Sequence, residues 1–143
     1  MRSRALRLLP GLWAGVLLCI AALAAPAAFA VLPAADAGRV VGHVFIREAW
    51  LSLLLAALLL FGHRRLPPGG IGNAVLLWST VACTLLGYFA VQALMPAARA
   101  GQGLLSFGQL HLVSTVFYAL KTVLVLWLAW RAAGAQFNPR PFS

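Results

Sequence analysis

Apolar residues fill this chain in four long runs, broken at three places by Pro, Gly and charged residues. The runs extend from about Leu8 to Leu32, Arg39 to Phe61, Asn73 to Met95 and Leu110 to Ala132. Each reaches the roughly 20 residues that an α-helix needs to cross a bilayer. Pro33 to Asp36 separates the first pair. His63-Arg64-Arg65-Leu66-Pro67-Pro68-Gly69-Gly70 separates the middle pair, and Pro96 with Gly101-Gln102-Gly103 the last. These are turn-forming residues, and the joints are short. The pattern therefore predicts an all-α, four-helix transmembrane bundle in which consecutive helices are antiparallel neighbours. It forms one domain, residues 1–134, followed by a loose tail, residues 135–143, with Pro139 and Pro141.

Composition agrees with this pattern. The 143 residues are 63% hydrophobic and 9% charged, where a soluble domain is roughly half apolar and a quarter charged. Disorder is excluded on the same ground. The net charge of +9 would suggest nucleic acid in a soluble protein. Here the basic residues sit mostly at the edges of apolar runs, so the expected partner is the lipid bilayer and not nucleic acid. Arg2, Arg4, Arg7, Arg64, Arg65, Arg131 and Arg140 fall on one side, and Arg39 and Arg99 on the other. That asymmetry predicts that both the N and C termini are cytoplasmic. Trp13, Trp78, Trp127 and Trp130 fall toward the same side, as an aromatic belt would, while Trp50 lies deeper. The first run admits a second reading as a signal peptide, since its basic start ends in a small-x-small site at Ala28-Phe29-Ala30.

The fourth run carries the clearest polar pattern. At 100° per residue, His111, Ser114, Thr115, Tyr118, Lys121 and Thr122 share an arc of about 120°, one helix face. Lipid cannot satisfy these groups, so the stripe is expected to face the interior as an intramembrane polar centre. Ordinary interhelical hydrogen bonding would also account for its hydroxyls. Lys121 lies ten residues from His111 and ten from Arg131, which places it about 15 Å from either end. A lysine at that depth needs a counter-charge or a wet cavity. The chain has two acids. Asp36 is expected in a loop, at the wrong depth, so Glu48 in the second run becomes the partner by elimination. The pair could serve function or fix helix register.

Arg39, His43 and Arg47 follow i, i+4, i+8 spacing on the outer half of the second helix. They read either as snorkelling interfacial residues or as an outer polar vestibule shared with the top of the fourth helix. In the second case His43 and His111 would face each other and could hold a haem b or a metal ion. No second ligand follows either histidine at i+3 or i+4, so the leading expectation is no cofactor. His63 reads as a solvated loop residue. Cys19 and Cys83 are lone cysteines in apolar runs and imply no disulfide framework. Gly11 with Gly15, and Gly38 with Gly42, form GxxxG patterns that predict close helix packing, within the chain or between copies. Asn73, Thr80, Thr84, Gly87 and Tyr88 give the third helix a small and polar face toward the interior. Pro26 is a candidate kink in the first helix.

Several of these stretches carry a resemblance. Ala25-Pro26-Ala27-Ala28-Phe29 closes the first run, and Leu32-Pro33 follows. Ala37-Gly38-Arg39-Val40-Val41-Gly42-His43-Val44-Phe45 opens the second, and Leu110-His111-Leu112-Val113-Ser114 opens the last. From about Leu12 to Ala132 the chain resembles the transmembrane-protein-205-like family, a domain of unknown function common in bacterial inner membranes. The resemblance implies a multi-pass inner-membrane protein with a retained first helix, and no established chemistry. A weaker similarity, resting on Lys121, is to the copper-resistance-D-like membrane proteins, some relatives of which bind haem through intramembrane histidine.

The residues contain no nucleotide loop, no serine-histidine-acid set and no paired carboxylates. The expected function is a non-enzymatic membrane protein whose polar centre binds or passes a small solute or ion. The alternatives are a haem- or metal-binding redox component, and a structural partner of a larger membrane complex or homo-oligomer.

Overall fold

The computed structural model describes residues 2–62 and 71–134, with side chains from Leu6 onward. The middle joint with His63, Arg64 and Arg65, and the tail 135–143 with Arg140, lie outside the described residues. Four helices are long and apolar enough to cross a membrane: Leu6–Val31, Ala34–Gly62, Ile71–Arg99 and Phe107–Gly134. They are called helices one to four below. All described regular structure is helical.

The helix ends fall outside the apolar runs for local reasons. Helix two begins right after Pro33, whose carbonyl accepts the Asp36 and Ala37 N–H groups. Asp36, expected in a loop, lies instead in the first helical turn, where an acid meets the positive end of the helix dipole. Helix four begins three residues before Leu110, because Ser106 and Gln109 cap it reciprocally: the Ser106 N–H donates to Gln109 Oε1 (2.9 Å) and the Gln109 N–H to Ser106 Oγ (3.3 Å). Helix three runs through Pro96 to Arg99. Its stop is Gly101, at φ 69°, in the left-handed conformation that glycine adopts without strain.

Helix four packs against helices one and three, and helix two against one and three. The ring order is therefore one-two-three-four, with two and four on a diagonal where their backbones scarcely approach. Neighbours are antiparallel, as the short joints predict. A methyl group on Gly62 would lie 3.0 Å from the Leu6 side chain, and one on Gly72 3.0 Å from the Arg131 guanidinium. Each contact joins the start of one helix to the end of another.

The two halves of the bundle pack differently. The half that holds Arg7 and Arg131, called here the terminal half, has a continuous core. Trp13, Ala14 and Leu17 from helix one meet Ala56 and Leu59 from two, Leu77 from three, and Val125 and Leu128 from four. Trp13 is 1% exposed. It is thus a core residue and not a member of the interfacial belt, whereas Trp78, Trp127 and Trp130 are exposed. The distal half has a small cluster of Val91, Met95 and Leu110.

Two π-helical turns lie in the distal half, Ile20–Ala24 in helix one and Leu85–Ala90 in helix three. The first sits just before Pro26. A proline ring clashes with the carbonyl four residues back and lacks the N–H to bond it, so the ladder re-registers there. The second contains Gly87, where an added Cβ would fall 2.2 Å from Phe117 Cβ. Helices three and four touch there as closely as a missing side chain allows. The GxxxG glycines do not act this way. A Cβ on Gly11, Gly15, Gly38 or Gly42 would meet nothing within 4 Å, so these patterns mark open faces and not close packing within the chain.

Gly87→Ala should therefore lower stability by about 1–3 kcal/mol, the usual penalty of overpacking, in denaturation from mixed micelles. Gly15→Ala should leave stability nearly unchanged, and Phe117→Ala should not rescue Gly87→Ala, because the atom that the new methyl meets most closely is the Phe117 Cβ, which alanine keeps.

Candidate functional site

The polar centre forms at mid-depth. Glu48 lies fourteen residues from either end of helix two, and Lys121 stands at the middle of helix four. Each is about 20 Å from its helix ends at 1.5 Å per residue. Lys121 Nζ donates to both Glu48 oxygens, at 2.8 Å each. Both side chains are nearly inaccessible. The pair joins the diagonal helices, whose backbones do not otherwise meet closely. The long lysine stem is what closes that gap.

The carboxylate has further support on its terminal side. Ser52, one turn along helix two, donates its hydroxyl to Glu48 Oε1. Trp13 Nε1 donates in turn to Ser52 Oγ at 2.9 Å. This line runs from helix one through helix two to helix four, and every side chain in it is buried. An indole N–H usually finds a partner when buried, and here it anchors helix one against helix two.

On the distal side Tyr118 lies over the pair. Lys121 Nζ is 4.8 Å from the centre of the Tyr118 ring, a cation–π distance. The Tyr118 hydroxyl donates to the Leu17 carbonyl at 2.9 Å. Phe45 meets the ring edge-on, with centroids 5.1 Å apart. Thr115 and Thr122 do not reach other helices through their hydroxyls, which donate to the carbonyls of His111 and Tyr118 four residues back, at 2.9 Å each. Back-bonding of this kind is the ordinary outcome for threonine in a helix.

Above the ion pair lies a cavity of about 530 Å³, within the usual range for small-molecule sites. Its floor is Glu48 and Lys121, and its walls include Tyr118, Ser114, Thr115 and His111 from helix four. Helix three contributes Cys83, Thr84, Tyr88, Gln92 and Arg99. Apolar surface predominates, from Ala21, Ala25 and Phe29 on helix one and Val41 and Phe45 on helix two. His111 and Thr115 are exposed, and Ser114 half-buried. The upper polar stripe of helix four thus lines an open space, while Lys121 and Thr122 are buried below it.

The distal residues of helix two divide differently from the expectation of a shared vestibule. Gly38, Val41, Gly42, Phe45 and Glu48 face the cavity. Arg39 and His43 face a separate groove between helices two and three, with Ile46 and Phe89. His43 and His111 therefore line different spaces. The spacing of 3.6 residues per turn that brings Gly42 to the cavity carries its neighbour His43 past the edge. Arg39 forms an ion pair with Asp36, and Arg47 is exposed and lines neither space. Among the described residues no three His, Cys, Asp or Glu side chains come together as a metal-ligand group.

Several residues of the site were not singled out by sequence reasoning. The Trp13–Ser52 support gave no local signal, since neither residue belongs to a motif. Arg99 and Gln92 looked like a topology exception and an ordinary helical residue. Only the bundle brings them to the cavity mouth, where Arg99 lies over the Phe107 ring at 5.3 Å.

Comparison with known proteins adds a family and no chemistry. The model of a family described as a domain of unknown function, DUF4149, matches residues 8–103, about two thirds of the chain. No curated protein and no solved structure matches significantly.

Lys121→Met leaves a buried carboxylate without its counter-charge and should cost about 3–5 kcal/mol. The double variant Lys121→Met/Glu48→Gln should cost less than Lys121→Met alone, because no net charge remains buried. Ser52→Ala strands the Trp13 N–H and should cost about 1–3 kcal/mol. Equilibrium denaturation of the purified protein in micelles checks all three, and equal losses for the single and double variants would exclude a charge-pair origin.

Proposed function

We propose that this chain, which belongs to the DUF4149 family, is a non-enzymatic, multi-pass protein of the bacterial inner membrane that binds a small molecule in its distal half. The observation that carries this reading is the unequal packing of the two halves. The distal cavity is open and lined by convergent polar groups over apolar walls. The terminal half is filled by Trp13, Leu17, Leu59, Leu77, Val125 and Leu128. Such a shape favours a blind binding site over a continuous pore.

The charge inventory supports binding over catalysis. Asp36 is paired with Arg39 and Glu48 with Lys121, so neither acid of the chain is positioned as a free general base. The excess of basic residues near the chain termini supports cytoplasmic placement of both ends, with the cavity opening outward. Trp13 and Leu17 support a retained first helix, since their contacts with Ser52 and Tyr118 complete the floor. The resemblance to transmembrane-protein-205-like proteins fits the same placement. A haem- or metal-centred reading rests on His43 and His111, and their placement in separate spaces gives it less support.

Accessibility tests the reading. In a background with Cys19→Ala and Cys83→Ala, Ser114→Cys should react with a membrane-impermeant maleimide added outside spheroplasts. Val125→Cys, in the terminal core, should resist the reagent from either side. An unreactive Ser114→Cys would remove the open cavity. Labelling of Val125→Cys from inside would replace the blind site with a conduit.

A further inference from the structure

The cavity is not closed on all sides. Helices two and three pack along Ile71–Thr84, but beyond Thr84 their backbones part, and the Trp50 and Phe89 rings, edge-on with centroids 5.3 Å apart, mark the lower rim of the gap. At that level the cavity meets the outer groove, of about 860 Å³. Gly38, Gly42, Tyr88, Gln92, Arg99 and Phe107 border both spaces. Gly38 and Gly42 stand at this seam with nothing within 4 Å of where a side chain would be. The opening is lateral, toward the place that lipid occupies around a transmembrane bundle.

Arg99 is the arginine that borders both spaces. The chain has two side-chain acids, and both are paired elsewhere, Asp36 with Arg39 and Glu48 with Lys121. Arg99 is thus left without a side-chain carboxylate of its own chain, and its guanidinium lies over the Phe107 ring. That contact leaves the in-plane N–H donors free for a planar, bidentate acceptor, the geometry of a carboxylate or phosphate. Below it the cavity walls are apolar at Ala21, Ala25, Phe29, Val41, Phe45 and Met95. The floor is a neutralised ion pair and offers no unpaired charge of either sign.

We propose that the cavity and its lateral seam bind an anionic amphiphile drawn from the membrane. Its carboxylate or phosphate sits at Arg99, and its apolar body passes between helices two and three into the cavity. The inference rests on the cavity being a binding site and adds the ligand class and the route of entry. A cation would meet Arg99 at the mouth and no free carboxylate, since Tyr88, Gln92 and Ser114 are neutral and Glu48 is paired. A small hydrophilic anion would leave the apolar walls uncovered.

The test uses the full-length protein in phosphatidylcholine nanodiscs, with spin-labelled stearic acid kept ionised at alkaline pH and its spin-labelled methyl ester as probes. The motionally restricted fraction of the spectrum reports association with the protein. The acid should associate about tenfold more strongly than the ester, the worth of one charge-assisted contact. Arg99→Gln should bring the acid down to the level of the ester. Gly42→Leu, which fills the seam, should weaken both probes. Arg47→Gln, an exposed arginine outside the cavity, should leave the preference for the acid unchanged.

Equal binding of acid and ester would overturn the proposal, as would a preference that survives Arg99→Gln or falls equally with Arg47→Gln. Displacement of the spin-labelled acid by inorganic phosphate would show a water-soluble anion as the ligand and overturn the membrane source. Should Ser114→Cys be labelled while these probes show no preference, the cavity stands and this ligand class fails. An unlabelled Ser114→Cys removes both.

Discussion

The contact between Lys121 and Glu48 constrains this bundle more than any other. A charged ammonium at the middle of a membrane has no water to solvate it and must meet a counter-charge within the protein. Glu48 is the acid at matching depth, and it stands across the diagonal of the ring. Two side chains therefore bridge a distance that two backbones do not close. Such a bridge holds helices two and four at a set separation and a set rotation. It also creates a polar layer that every neighbouring side chain has to accommodate.

That layer divides the molecule. On its terminal side, Ser52 and Trp13 extend the hydrogen-bonded line and close the space with an indole, and large aliphatic side chains fill what remains. On its distal side, Phe45 and Tyr118 cover the pair, and the residues beyond are mostly small. Ala21, Ala25, Gly38 and Gly42 cannot fill a space that the separation of helices two and four keeps open. The two π-helical turns belong to the same distal region. One absorbs Pro26, and the other sets Gly87 against Phe117, the tightest approach between helices three and four. The cavity thus follows from a long-reach ion pair combined with small side chains above it.

Depth was the most legible quantity. It depends on position along a helix of known rise, so the midplane location of Lys121 and Glu48 could be counted directly from the chain. The scarcity of acids then left one partner. The four spans and their order were equally plain, because apolar runs of sufficient length between short polar joints have few other uses. The interior face of helix three, through Asn73, Thr80, Thr84 and Gly87, also followed from helical spacing.

Rotation and neighbourhood were not legible in the same way. Trp13 looks like an interfacial aromatic by depth, yet its face turns inward to Ser52. His43 and His111 both lie in the distal half but line different spaces, because the roughly 100° step from Gly42 to His43 carries the imidazole from the cavity to the groove. Capping, at Ser106 with Gln109 and at Pro33, extends a helix past its apolar stretch by a few residues. By itself the sequence determined the number of spans, their depth and the identity of the buried pair, since these depend on composition and on distance along the chain. The tertiary structure alone decided which half is filled, where the cavity meets the groove and which arginine borders both. Those depend on which helix faces meet, and facing is set by packing among all four helices at once.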